Sequence, residues 1–78
     1  MREKKLWLII TFHTTTAAMA MESLCTEKGL PGRLIPVPRE ITAGCGMSWR
    51  APVESKAELI EAAEQAGIAA DGGYEIVI

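Results

Sequence analysis

The run Lys5 to Phe12, KLWLIITF, is dense in β-branched and aromatic residues, and its alternation leaves neither side polar. Leu6, Leu8, Ile10 and Phe12 fall on one face, Trp7, Ile9 and Thr11 on the other. Apolar character on both faces predicts a central strand. The period then changes. Thr14, Thr15 and Thr16 supply hydroxyl acceptors where a helix start has free N–H groups. Beyond them Ala17, Met21, Leu24 and Lys28, with Ala20 and Cys25 alongside, recur at a spacing of three and four, which predicts a helix to about Lys28 with one stripe against a core. Gly29 supplies its C-terminal stop, and Pro31 bars continuation.

Arg33 to Val37 reads as a second, short strand, and Pro36, which has no N–H to give a ladder, makes it an edge strand. Met47 to Ala51 reads as a third, with Met47, Trp49 and Ala51 on one face, Ser48 and Arg50 on the other, and Pro52 at its end. Ser55 with Glu58 three residues on is a capping-box pattern. It opens a helix through Leu59, Ile60, Ala63 and Ala66 that stops at Gly67. Asp71, Gly72 and Gly73 read as a turn, and Tyr74 to Ile78 as a last strand. The order β-α-β-β-α-β is the ferredoxin-like plan, an α+β fold in which a four-stranded antiparallel sheet carries two helices on one face. Right-handed crossovers favour the spatial strand order four, one, three, two. In that arrangement three separated stretches converge at one edge: His13 to Thr16, Arg39 to Gly46, and Ala70 to Gly73.

Length and charge narrow the function. Seventy-eight residues make one domain, residues 1–78, too small to enclose a large substrate cavity, so function belongs on a loop, an edge or an exposed sheet face. A formal net charge of −2 with scattered basic residues argues against nucleic acid or anionic membrane as the main partner. Arg2, Lys4 and Lys5 resemble the charged start of a signal peptide, but the apolar run Leu6 to Ile10 is too short for one, or for a membrane-spanning helix. Two cysteines allow one disulfide at most. With no sign of export, both read as reduced thiols in a cytoplasmic protein.

One segment has chemistry that packing does not explain: Pro36 to Arg50, PVPREITAGCGMSWR. Pro36 and Pro38 fix φ and remove backbone donors, ending a strand and opening a constrained loop. Within that loop Gly44 and Gly46 flank Cys45, allow φ > 0 and leave the thiol unshielded. Two readings stand side by side there: a sulfur placed to react or carry something, and a tight turn whose middle residue is cysteine. Near Cys45, His13 is a candidate for proton transfer, Thr14 to Thr16 for capping or anion binding, and Arg39 for a positive charge or an ion pair with Glu40 that pins the loop. Cys25 sits at core spacing and reads as a small buried hydrophobe. There is no CxxC, and His13, Cys25 and Cys45 do not make a closed zinc site, so neither metal nor cofactor is expected. An interaction module using the open sheet face around Trp7 and Ile9, alone or as a homodimer, and a small-anion-binding module using the threonine-rich helix start are the other function classes.

The strings TFHTTTAAMAMESLC, GLPGRLIPVPREITAGCG and MSWR closely resemble small bacterial proteins described as “putative selenium/sulfur carrier protein-like”. The resemblance covers nearly the whole chain, and IPVPREITAGCG is its most specific part. It implies a carrier of sulfur or selenium, with Cys45 at the position of the family's cysteine. It also implies a partner, either a sulfurtransferase-like protein of selenium metabolism or a cysteine desulfurase-type donor. A carrier or accessory protein fits this better than a stand-alone enzyme. Carriage as a persulfide requires a thiolate to attack a sulfur donor, and a helix N-terminus beside the thiol favours that form.

Overall fold

The computed structural model describes residues 4–41 and 45–78. Strand β1 (Leu6–Phe12) leads into helix α1 (Thr15–Lys28), followed by β2 (Arg33–Pro36), β3 (Met47–Pro52), a 3₁₀ turn (Val53–Ser55), α2 (Lys56–Gln65) and β4 (Ala70–Val77). The sheet runs β2-β3-β1-β4 and is antiparallel throughout. This is the ferredoxin-like α+β order expected from the pattern, with the expected strand neighbours.

The core explains why both helices share one face. Leu8, Ile10 and Phe12 from β1 meet Trp49 and Ala51 from β3, Ala18, Met21 and Cys25 from α1, and Leu59 and Ala63 from α2. Helix α1 ends where expected, with Gly29 in the left-handed region at φ 68°. Its buried residues are Ala18, Met21 and Cys25. The stripe is rotated slightly from the one read off the sequence, so Ala17 and Leu24 pack at its border and Lys28 is exposed. At the bottom of β2, Trp49 Nε1 donates to Pro31 O (3.1 Å), fixing the indole beside Gly32.

Three local expectations are corrected. The capping box of α2 does not form. Ser55 lies at φ −93°, ψ 6° as the last residue of a 3₁₀ turn and makes no side-chain cap hydrogen bond. Pro52 and the turn after it set the entry to α2, so the serine is already helical where a cap must be extended. Asp71 to Gly73 is not a turn either. Strand β4 begins at Ala70 and runs through them, with Thr11 opposite Gly72 and Phe12 opposite Ala70. Asp71 is therefore the extra residue of a β-bulge, which accommodates glycines in a strand and bends its end. Finally, Ile9 is not open to solvent. Its face is the one away from the helices, yet it is fully buried between its direct neighbours Arg50 and Tyr74. Trp7, half-buried beside it, lies under Arg50 (4.4 Å to the ring centroid) and Lys5 (4.7 Å). Long amphipathic side chains roof over the apolar positions on this face.

The edge near β4 packs more loosely. Gly73 stands opposite Ile10 and leaves the helix side of the sheet without a side chain there. A cavity of about 190 Å³ lies between this side of the sheet and α2, lined by Ile10, Ile60, Ala63, Glu64, Ile68 and Ala70. Lys56 Nζ reaches Glu75 Oε2 (3.5 Å) between α2 and β4. No helix among the described residues is long and apolar enough to cross a membrane.

Candidate functional site

The end of β1 is where the separated stretches meet. Beyond Pro36, Val37 N–H donates to Gly46 O (3.0 Å), so the two ends of the β2–β3 connection are held together as one loop. Within it, Ile41 N–H bonds Pro38 O (3.0 Å), and the Ile41 side chain is buried. The burial of this single apolar residue between Glu40 and Thr42 was not anticipated from the sequence. At the other end of the loop, Cys45 N–H donates to Phe12 O (2.8 Å). That bond ties the cysteine to the last residue of β1, two residues before the N-cap of α1.

Cys45 itself is half-buried and packs against the edge of the core, while its Sγ lies 3.8 Å from Met47 O. A donor to a carbonyl uses the thiol proton, so this contact belongs to the protonated form. Gly46 has φ 96° with nothing near the position a Cβ would take. The turn after the cysteine therefore uses the left-handed freedom expected of its glycine. Gly44, the other flank, lies outside the described residues. Cys25 is 2% exposed, and burial pushes its thiol above the ordinary range. Cys25 is buried as its spacing indicated, whereas Cys45 is more shielded than its flanking glycines suggest, being partly buried against the core.

Thr14 is the N-cap of α1, with extended backbone (φ −134°, ψ 153°) and its Oγ1 accepting from Ala17 N–H (3.1 Å). Thr15 and Thr16 occupy the exposed first turn. There is no acidic residue in that turn, which leaves the positive end of the helix uncompensated by its own side chains.

His13 is turned elsewhere. Its Nε2 lies 3.2 Å from Asp71 Oδ1, with the imidazole 66% exposed and the carboxylate 21% exposed. The bulge that makes Asp71 the extra residue brings its carboxylate to the end of β1, and Thr11 Oγ1 donates to Gly72 O (3.3 Å) alongside. Asp71 belongs to the Ala70 to Gly73 stretch expected at this edge, but its pairing with His13 was not anticipated; a histidine ending one strand and an acid beside paired glycines were the available signals. No hydrogen bond joins His13 to Cys45 among the described residues. Arg39 is exposed and makes neither the expected ion pair with Glu40 nor another ion pair among the described residues. The geometry therefore brings the Cys45 backbone to the end of β1 beside the Thr14 cap, with the His13–Asp71 pair at the same strand end, and it leaves Arg39 exposed and without an ion pair among the described residues. Among the described residues no three histidine, cysteine or acidic side chains are grouped to hold a metal ion.

No curated protein and no solved structure matches the chain. A family model described as “Putative Se/S carrier protein-like” matches residues 8–75, from β1 into β4 and across the whole Cys45 loop. The chain belongs to that family.

Proposed function

We propose that the protein carries sulfur or selenium on Cys45, as a persulfide or selenylsulfide, and delivers it to a partner. The observation that supports this most is the contrast between the two thiols: Cys45 is only partly buried, on a loop whose backbone is tied to β1, whereas Cys25 is sealed in the core. A carrier needs one accessible sulfur held in a fixed place, with no second thiol close enough to discharge it as a disulfide.

The chemistry balances without an external oxidant. The Cys45 thiolate attacks the outer sulfur of a donor persulfide, R–S–SH, forming the new S–S bond while R–S⁻ leaves with the electrons of the bond that breaks. A donor R–S–SeH reacts in the same way at selenium. Delivery is the reverse kind of displacement: an acceptor nucleophile takes the outer atom, and the Cys45 thiolate is the leaving group. The Cys45 backbone is tied to the end of β1 ahead of α1, whose positive end attracts the negative charge of an incoming donor. The donor in this reading is a cysteine desulfurase-type or sulfurtransferase-like protein, and the compartment is the reducing cytoplasm, where the free thiol persists.

Intact mass after incubation with a persulfide donor tests the reading. The expected result is a gain of one sulfur on the wild type, reversed by a thiol reductant and absent from Cys45→Ser. Near neutral pH, an alkylating reagent should label Cys45 well before Cys25. Loading that survives Cys45→Ser, or equal labelling of both thiols in the folded protein, overturns the assignment. A phenotype that tolerates Cys45→Ser points instead to a binding module.

A further inference from the structure

The sheet face away from the helices carries a charge pattern that the stacking of Arg50 and Lys5 on Trp7 accounts for only in part. The register places Arg33 directly opposite Arg50, and Arg50 directly opposite Ile9, which in turn faces Tyr74. Lys5 adds a third cation over Trp7. No position that the register assigns to this face holds an aspartate or glutamate. Glu58, Glu61 and Glu64 lie exposed on α2, which packs on the opposite side, so a chain of net charge −2 has a basic sheet face behind an acidic helical one. Neither arginine has a carboxylate partner among the described residues, and Arg50 Nε is buried with no hydrogen-bond partner. Like charges placed directly opposite each other in a sheet repel, and a buried guanidinium N–H without an acceptor is costly. A carboxylate bound at the solvent-facing ends of the two guanidinium groups relieves the repulsion.

We infer that this face docks an acidic segment of a partner protein, with carboxylates engaging the Arg33–Arg50 pair and apolar groups resting on Tyr74 and the rim of Trp7. Planar guanidinium forks match carboxylates in two-point contacts, which suits a pair of adjacent arginines better than a diffuse basic surface does. A second copy of the chain is a poor occupant through this face, since it brings the same three cations and, among the described residues, no acid. Single-stranded nucleic acid needs bare aromatic faces for stacking, and the Trp7 ring is already covered by Arg50 and Lys5. At about 3.3 Å per strand residue, Arg50 is within roughly 17 Å of Cys45 along β3, so a partner seated here reaches the loop end of the sheet. The inference concerns a face distinct from the thiol and stands whether or not Cys45 carries a chalcogen.

The test is an amide and indole NMR titration of the full chain with three arms: oligoglutamate, oligothymidylate of equal charge, and the protein alone over a concentration series. The two tryptophans supply an internal control, because Trp7 lies on the face and Trp49 is buried and bonded to Pro31 O. Oligoglutamate should shift the Trp7 indole and the Arg33, Arg50 and Tyr74 amides while the Trp49 indole stays in place. Added salt should weaken the effect, and Arg33→Glu, at an exposed position, should weaken it by about tenfold. Arg50→Gln serves as a second variant, judged only where its Trp49 signal shows the native fold. No shift on this face with millimolar oligoglutamate, tighter binding of oligothymidylate, or self-association that protects the Trp7 face in the protein alone would each overturn the proposal.

Discussion

Gly32 shows how one residue fixes the geometry of the start of β2, at the end of the strand opposite the Cys45 loop. Its φ of 122° is a conformation that side-chain-bearing residues rarely adopt, and an added Cβ would lie 2.6 Å from Arg50 O and against the Trp49 indole. Both the backbone and the space are therefore reserved for glycine. Gly32→Ala is expected to cost about 3 kcal/mol through strain and overpacking together, read as a lowered urea midpoint with an unchanged slope. A loss under about 0.5 kcal/mol, the ordinary surface-substitution range, would mean that the β2 start relaxes freely. By contrast, Gly46 has open space around it, so its requirement is conformational alone. The sequence made the glycines flanking Cys45 conspicuous. It could not make Gly32 so, because the indole that crowds it comes from a residue far along the chain.

At the scale of the elements, what was legible depended on whether local preference and tertiary packing agreed. Strand β1 and helix α1 carry their own signals, a two-sided apolar run and a threonine-to-glycine frame, and packing adds to both without redirecting them. Helix α2 and strand β4 are different. The serine with glutamate three residues on is a sound local signal, but Pro52 closes β3 so near it that the chain is already turning when it reaches Ser55. At β4, two glycines that read as a turn are tolerated in a strand because β1 supplies a full ladder beside them and a bulge absorbs the extra residue. The two helix starts therefore give a paired prediction. Thr14→Ala removes a real cap bond and should cost about 1 kcal/mol, whereas Ser55→Ala removes none and should stay within about 0.5 kcal/mol. Equal losses in matched urea unfolding would show that Ser55 caps α2 in solution. The same contrast explains the site. The approach of Cys45 to the end of β1 follows from strand order, which the pattern supplied, while the His13–Asp71 pair follows from a bulge, which it did not.

For the molecule as a whole, the burial of one of its two thiols makes stability depend on pH. Cys25 is part of the core shared by both helices and the sheet, and burial there raises its thiol above the ordinary range. In the unfolded chain the same thiol ionises at its ordinary value, about 8.5. Below that pH both states hold the proton, and the thiol contributes nothing to the pH dependence. Above it the unfolded state releases the proton while the folded state keeps it, so the unfolded state binds fewer protons and stability falls as pH rises. The fall continues until pH passes the raised folded value, where it levels off. Urea unfolding under reducing conditions should therefore show a midpoint that declines from about pH 8.5 upward, more steeply in the wild type than in Cys25→Ala. The alanine variant loses packing and starts from a lower stability, so the slope against pH, and not the absolute midpoint, carries the comparison. Lysine and tyrosine titrations contribute equally to both proteins and cancel in the difference. Parallel slopes would mean that Cys25 reaches solvent in the native state, and the contrast between a sealed thiol and an available one, on which the assignment of carriage to Cys45 rests, would then be lost.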